Sequence, residues 1–251
     1  MTENKQFRII APIYKADLQK NWSYSDQNIK LLAEGIQLTR PQENFAGSLY
    51  FINAIDMNAE WEVELRFRIA RKIKMKDPEK PKKNMKKLVD AISIQLTNEF
   101  IGTEYIAKNP QINIFGANFI LLLSDSTNYL TFRHSGSNNV LPASYLEMLF
   151  NDIVSQREHT NFCQLPNIDV IKLRMQFNFQ NRSLYIAYFN KTDEVWDSCM
   201  TIEYINRFID SHYHHMTING VSNIGTKTII TLEDATLAER KIKLGKDIEQ
   251  K

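Results

Sequence analysis

Three histidines near the C-terminal end of the chain are of the residue type that binds metal ions most often. They are His212, His214 and His215, and a neutral imidazole nitrogen is a common ligand of zinc. Alternate residues of a strand point to opposite faces, so only His212 and His214 would share a face. No third ligand lies near these two in the sequence. The histidines therefore do not predict a metal centre.

The sequence carries no residue pattern that is typical of an enzyme. It has no Gly-rich phosphate loop, no Gly-x-Ser-x-Gly turn, no His-Glu-x-x-His motif and no pair of carboxylates at an informative spacing. Each of these patterns would supply a nucleophile, a metal or a phosphate cradle. We therefore do not expect an enzyme.

The most strongly charged stretch is basic and spans residues 71–87, where only Asp77 and Glu79 are acidic. Its simplest interpretation is a solvated loop between two strands. A surface for acidic membrane or phosphate groups is the alternative, although the stretch lacks interleaved aromatic residues. The net charge of the chain is only +2, so nothing in the charge balance predicts a nucleic-acid partner.

Composition places the chain among folded proteins. Its 251 residues are 43% hydrophobic, which is enough to form a core and argues against disorder. No apolar run is long enough to predict a membrane-spanning helix. The two cysteines, Cys163 and Cys199, are compatible either with one disulfide or with two buried thiols.

The elements that must position any binding residues are predicted most clearly by residues 61–69. Apolar residues alternate there with charged ones, and a period of two is typical of a strand with one buried and one solvated face. Residues 47–51 predict a shorter strand, and the turn-rich residues 53–58 would join the two as a hairpin.

The remaining pattern is a series of short strands with few helices. Residues 119–123 form a continuous apolar run, which favours a central strand covered on both faces. Residues 143–158 are compatible with a helix or a loop, and residues 200–210 predict a helix. The other predicted strands lie at residues 29–38, 89–96, 171–179, 184–188, 216–218 and 228–232. We therefore predict an all-β fold, a two-sheet antiparallel β-sandwich over residues 1–232. Residues 233–251 are charged and helix-prone, and we expect them to form a tail or the start of a stalk.

The order of these features resembles a known family. Gly47-Ser48-Leu49-Tyr50 is followed by the nine-residue strand that starts at Trp61, then by Asp90-Ala91-Ile92, by Asn151-Asp152, and by the two cysteines. This series is similar to the L-type (leguminous-type) lectin domain of the ERGIC-53, VIP36 and Emp46/Emp47 cargo receptors. The resemblance implies a lectin-like jelly roll, a luminal disulfide between Cys163 and Cys199, and a sugar site at one loop end.

The resemblance also implies which residues form that site. Ser48, Asp90 and Asn128 match the family's sugar-binding positions. Calcium, which takes carboxylate and carbonyl oxygens, would be held by Asp125, Asn128 and Asp152. Each of these residues also has a plain structural interpretation. Asp90 could be a surface or capping carboxylate, Asn128 is favoured in turns, and Asp152 could cap a short helix.

The chain departs from the family at several positions of the site. The family's leading calcium aspartate aligns with Ser124, with Asp125 one residue away. The histidine that faces the sugar aligns with Leu149, the glycine after the sugar aspartate with Ala91, and the C-terminal glycine loop with residues 222–224. The loss of a carboxylate weakens the attraction for calcium. The loss of the histidine and of the glycine loop removes direct contacts to a sugar.

Two functions follow as expectations. The first is a cargo-receptor domain in the lumen of the endoplasmic reticulum or Golgi that binds high-mannose glycans of glycoproteins, weakly or without calcium dependence. A stalk and a membrane anchor would then lie beyond this chain, and the stalk could form homo-oligomers. The second is a degenerate lectin fold that has lost sugar binding and acts as a protein–protein interaction module.

Overall fold

A computed structural model describes residues 4–24, 29–41, 45–71, 89–97, 111–113, 116–135, 140–155, 162–205, 213–223 and 226–240. The helices are α1 (Lys15–Leu18) and α2 (Ala143–Val154). The strands are β1 (Asn4–Ile9), β2 (Trp22–Tyr24), β3 (Lys30–Leu32), β4 (Gly35–Gln37), β5 (Phe45–Phe51), β6 (Ile55–Asp56), β7 (Glu60–Ala70), β8 (Asp90–Thr97), β9 (Gln111–Asn113), β10 (Gly116–Leu123), β11 (Asn128–Ser135), β12 (Val140–Pro142), β13 (Phe162–Leu165), β14 (Val170–Asn178), β15 (Ser183–Asn190), β16 (Val195–Ile202), β17 (Tyr213–Ser222) and β18 (Ile229–Arg240).

The strands form two large antiparallel sheets that face each other. Sheet A has the order β16-β15-β14-β7-β18-β4-β3, and β1 pairs with β18. Sheet B has the order β13-β11-β10-β8-β17-β5-β2, and β6 pairs with β17. A small third sheet joins β9 to β12. The predicted two-sheet antiparallel β-sandwich is confirmed.

The main hydrophobic core lies between the two sheets. β7 supplies one of its walls, because Trp61, Val63, Leu65, Phe67 and Ile69 are buried while the residues between them face solvent. The alternation in the sequence therefore predicted this strand and its buried face correctly. Burial of one such side chain stabilises the fold by about 1.5–3 kcal/mol.

A second apolar cluster lies on the outer face of sheet B, under α2. The helix contributes Leu146, Leu149, Phe150 and Ile153, which pack with Ile120 and other side chains of the sheet. Sheet B is thus covered on both faces over this part, which explains why β10 and β5 are almost continuously buried. Of the two alternatives for residues 143–158, the structure has the helix.

The predicted hairpin between residues 47–51 and 61–69 is wrong. β5 pairs with β2 and β17 in sheet B, whereas β7 pairs with β14 and β18 in sheet A. The turn-rich segment between them crosses from one sheet to the other and carries β6. The local pattern shows that a strand has a buried face, but it does not show which strand pairs with it.

Two segments that were expected to be helical begin as strands in the structure. Residues 195–202 form β16, where Met200 and Ile202 are buried against β15. The expected helical tail from residue 233 is corrected as well, because β18 continues to Arg240 with Ala235 and Leu237 facing the core. Residues 206–210 and 241–251 lie outside the described residues, as do residues 72–87 of the basic stretch.

A disulfide joins Cys163 of β13 to Cys199 of β16, with a distance of 5.4 Å between their Cα atoms. The bond connects an edge strand of sheet B to an edge strand of sheet A. The prediction of this disulfide is confirmed. It closes a 36-residue separation, for which the entropic model gives a stabilisation of about 3–4 kcal/mol. Among the described residues, neither helix has the length and hydropathy to cross a membrane.

Candidate functional site

A polar cluster lies at one end of the sandwich, where β10 ends and β8 and β11 begin. Leu123, the last residue of β10, pairs with Asp90 on one side and with Asn128 on the other. Asp90 and Asn128 are therefore two strand spacings apart, about 10 Å between Cα atoms. Directly paired residues share a face of the sheet, and Leu123 belongs to the main core. Both polar side chains consequently face the gap between the sheets.

Arg71 enters this gap from sheet A. It follows β7 directly, and the alternation that buries Phe67 and Ile69 directs Arg71 to the same inner side. Its backbone position is fixed next to β14, because the Ile69 N–H donates to the Asp169 carbonyl at 2.7 Å. The guanidinium can thus reach sheet B across the open end of the sandwich.

The Arg71 guanidinium donates hydrogen bonds to three oxygens of sheet B and its loops. Nη2 donates to Asn128 Oδ1 at 2.8 Å, and Nη1 donates to Asn167 Oδ1 at 3.0 Å and to the Ser124 carbonyl. Asn128 is held from its other end too, since its Nδ2 donates to the Pro166 carbonyl at 3.0 Å. The side chain of Arg71 therefore links the end of β7 to the loop that precedes β11, to the start of β11 and to the loop that follows β13.

The loop between β10 and β11 is ordered by its own hydrogen bonds. Ser124 Oγ accepts from the Thr127 N–H at 3.1 Å and donates to the Thr127 carbonyl at 2.5 Å. Asn167 Nδ2 donates to the Asp125 carbonyl at 2.7 Å. The side chain of Asp125 is exposed, so this loop presents a carboxylate to solvent on a fixed backbone.

Asp90 binds the segment that leads into β18. Its Oδ1 accepts from the Asn223 N–H at 2.8 Å and from Thr226 Oγ1 at 2.5 Å, and its Oδ2 accepts from Thr228 Oγ1. Asp90 is only 3% exposed. In this structure its carboxylate holds a loop in place, and its contacts are internal to the protein.

Burial shifts the pKa values of both charged groups of the cluster. Desolvation raises the pKa of Asp90 above its ordinary value, although the hydrogen bonds from Thr226, Thr228 and Asn223 and the charge of Arg71 oppose the shift. Desolvation lowers the pKa of Arg71, and the nearby carboxylates of Asp90 and Asp125 oppose that shift. The ordinary pKa of an arginine side chain is so high that Arg71 stays protonated at neutral pH.

Comparison with known proteins gives matches to solved structures only. No family model and no curated protein matches the sequence. A legume lectin-like domain from Entamoeba histolytica is 15% identical, with a TM-score of 0.64 over 92% of this chain and 95% of that one. The Emp47p carbohydrate recognition domain is 14% identical, with a TM-score of 0.63 over 92% and 94%. The VIP36 exoplasmic/lumenal domain, in a Ca2+/Man3GlcNAc-bound form, is 13% identical, with a TM-score of 0.62 over 96% and 93%.

The chain has the L-type lectin fold. The identities of 13–15% show the fold alone. The binding properties of these neighbours are therefore not assigned to this chain. The sandwich that the strand pattern predicted and the resemblance to L-type lectin domains both agree with this result.

The lectin fold brings only some of the predicted site residues together. Asp90, Asp125 and Asn128 lie at the same end of the sandwich. Ser48 lies in β5 opposite Asn219, three residues along the sheet from the row of Asp90, which corresponds to about 10 Å. It is buried there. Asp152 lies on α2, on the outer side of sheet B, where its carbonyl accepts from Ser155 Oγ at 3.2 Å.

The described part of α2 is linked to the cluster through Asn223. Asn223 Nδ2 donates to the Val89 carbonyl at 3.2 Å and to Glu147 Oε1 at 3.4 Å, while the Asn223 N–H binds Asp90. Within the described residues no group of three or more His, Cys, Asp or Glu side chains could hold a metal ion. Of the histidines, His214 is buried in β17 and His212 lies outside the described residues.

The interpretation of the sequence missed Arg71 as a site residue. Its charge grouped it with the lysines that follow, although the alternation of β7 already placed it on the inner face. Asn167 carried no comparable signal, because it reaches the cluster from a loop between two strands of different sheets. Thr226 and Thr228 become partners of Asp90 only through the tertiary fold.

Proposed function

We propose that this chain is a glycan-binding domain of the early secretory pathway that recognises high-mannose glycans of cargo glycoproteins. The observation that carries the proposal is the exposed polar rim around the Arg71 cluster, at one end of an L-type lectin sandwich. The rim consists of Asp125, Ser126, Asn167 and Asp169, which are exposed in the structure.

The rim has the chemistry that sugar hydroxyls need. Carboxylate and amide groups offer acceptors and donors in fixed planes, and the backbone beneath them is held by hydrogen bonds. Asn167 is fixed on both sides, by Arg71 and by the Asp125 carbonyl. A preorganised polar surface of this kind loses little entropy when a hydroxyl-rich ligand binds. The disulfide supports a luminal location, since such bonds persist in oxidising compartments.

The proposal is tested with purified protein on an array of mannose-terminated and galactose-terminated glycans, in calcium and in EDTA. We expect selective retention of high-mannose glycans, reduced in Asp125→Ala. The matched control is Asp193→Ala, which removes an exposed carboxylate from the turn between β15 and β16. Absence of binding in both buffers would contradict the proposal.

A second function, a protein–protein interaction module, is favoured by the state of Asp90. The resemblance assigns this residue to sugar binding, yet its two oxygens accept three internal hydrogen bonds. Binding of a cargo protein that survives complete removal of its N-glycans would support the second function over the first.

A further inference from the structure

The oxygens that a calcium ion would use at this end of the fold are already occupied by a cation of the protein itself. Calcium in proteins is bound by six to eight oxygens from carboxylates, amide side chains and backbone carbonyls, at about 2.3–2.6 Å. Arg71 donates to two amide oxygens and one backbone carbonyl, those of Asn128, Asn167 and Ser124. These are oxygens of the same chemical types.

The position of the guanidinium is incompatible with calcium on Asn128. Nη2 lies 2.8 Å from Asn128 Oδ1, so a calcium ion at bonding distance on the same side of that oxygen would overlap the guanidinium. The two cations would also repel each other in a site that is only partly solvated. Calcium and the observed position of Arg71 therefore exclude each other at this oxygen.

Two of the carboxylates that the resemblance assigns to the site are not available to an ion in this arrangement. Both carboxylate oxygens of Asp90 already accept hydrogen bonds, from Thr226, from Thr228 and from the Asn223 N–H. Asp152 lies on α2, and Ser124 stands where the family has its leading calcium aspartate. The described part of the chain thus offers acceptors that suit a guanidinium, whose planar fork of N–H groups can donate to several carbonyl oxygens at once.

The fold holds Arg71 in this place. Its position after Ile69 directs it inward, and the carboxylates of Asp90, Asp125 and Asp169 provide a negative surrounding. By contrast, Arg66 and Arg68 lie on the opposite, outer face of β7, where both pair with Glu233. The inner and outer arginines of one strand therefore serve different partners.

We propose that the Arg71 guanidinium takes the place of the calcium ion in this lectin fold. It binds the loop that begins at Ser124 and the side chain of Asn128 to the opposite sheet without a divalent ion. The inference does not depend on whether a glycan binds, because it concerns how the loops are held. Any glycan recognition by this chain would then be independent of calcium.

The first test uses the wild-type chain. Thermal melting is recorded in millimolar calcium and in EDTA, and calcium binding is measured by isothermal titration calorimetry. An ion that binds only the native state would raise the melting temperature. We expect equal melting temperatures and no saturable heat. A calcium-dependent rise with saturable binding would overturn the proposal.

The second test compares Arg71→Ala with Arg68→Ala, which removes an arginine from the outer face of the same strand. We expect Arg71→Ala to lower the melting temperature by about 4–10 °C, since it removes three hydrogen bonds from a charged donor. Arg68→Ala should lower it by less than about 2 °C. Equal effects of the two substitutions would overturn the proposal.

The third test asks whether the vacated oxygens can hold an ion. Without Arg71, the freed oxygens of Asn128, Asn167 and Ser124 lie among uncompensated carboxylates, so calcium should raise the melting temperature of Arg71→Ala while leaving the wild type unchanged. If Arg71→Ala does not respond to calcium, Arg71 is a structural cross-link only, and the replacement of an ion is refuted. Should Arg71→Ala fail to fold, Arg71→Gln provides the same comparison. A negative glycan array would leave all three results unaffected, so the two proposals fail separately.

Discussion

Replacement of Asp90 tests how the buried carboxylate balances desolvation against hydrogen bonding. Asp90→Ala leaves the Asn223 N–H and the hydroxyls of Thr226 and Thr228 without their acceptor. Hydrogen bonds to a charged group contribute about 1.5–3 kcal/mol each. The variant also no longer has the desolvation cost of a buried carboxylate, and this gain offsets part of that loss. We therefore expect Asp90→Ala to lower the free energy of unfolding by about 2–4 kcal/mol.

Asp90→Asn isolates the effect of the charge. Its amide oxygen can still accept from the Asn223 N–H, and the hydroxyl of Thr228 can turn to accept from the new amide N–H. Burial raises the pKa of Asp90, so the folded state favours the protonated carboxyl. The resulting contribution to stability is full below the unfolded pKa of about 3.9 and is lost as the pH rises through the raised folded pKa.

The assay is urea unfolding of wild type and Asp90→Asn between pH 4 and pH 7. The free energy of unfolding of the variant does not respond to this titration, so the stability advantage of the wild type should shrink as the pH rises. Asp125→Asn, which changes an exposed carboxylate, serves as control and should stay within about 0.5 kcal/mol of wild type. An advantage that grows with pH would mean that hydrogen bonding outweighs desolvation, and it would refute the reasoning.

Three further changes test other parts of the fold. Replacement of Cys163 and Cys199 by serine should lower the free energy of unfolding by about 3–4 kcal/mol; a urea midpoint equal to that of the oxidised wild type would contradict this. Arg174 Nε donates to Glu64 Oε1 at 2.8 Å, and both side chains are about three-quarters buried. A double-mutant cycle of Arg174→Ala and Glu64→Gln should therefore give a coupling energy of about 1 kcal/mol. Purely additive effects would show that the pair contributes nothing. Phe150→Ala should cost about 3–5 kcal/mol by emptying the cluster under α2, and a loss below 1 kcal/mol in thermal or urea unfolding would argue against that packing.

The sequence predicted strands well where one face is buried and the other solvated. The alternation through Trp61 and Ile69 located β7 and its inner face, and the predicted strands at residues 171–179 and 184–188 are found as β14 and β15, which pair with each other. The prediction failed where a strand pairs with a strand that is distant in the sequence. β5 was assigned to the wrong partner, because a buried strand pairs equally well with a neighbour in sequence or with one far away.

The sequence pattern did not distinguish helix from strand where charged, helix-compatible residues are mixed with apolar ones. Residues 200–210 and the segment from residue 233 contain charged, helix-compatible residues, yet Met200, Ala235 and Leu237 face the core as parts of strands. Propensity is a weak guide at such positions, since packing against neighbouring strands overrides it. Nothing in the sequence indicated that β18 pairs with β7 along its length.

The candidate site was predicted in part. Asp90 and Asn128 were expected at one loop end, and the register through Leu123 places them there. Ser48 and Asp152 lie elsewhere in the fold, and their predicted roles in binding sugar and calcium stay predictions. Arg71 could have been recognised by extending the alternation of β7 by one inward position. Its contacts to Asn128, Asn167 and Ser124 could not, because these groups converge with Arg71 only when the two sheets face each other.

The disulfide between β13 and β16 has a consequence for self-association. These are the outermost strands on one side of the two sheets, and unpaired outer strands offer their backbone groups to strands of other molecules, which leads to aggregation. The covalent bond ties the two strands together and restricts the movement that would let a foreign strand dock. On the opposite side the sheets end in β2 and β3, which have only three residues each and offer little backbone to pair with. Reduction of the bond should therefore promote fibrous aggregation as well as unfolding.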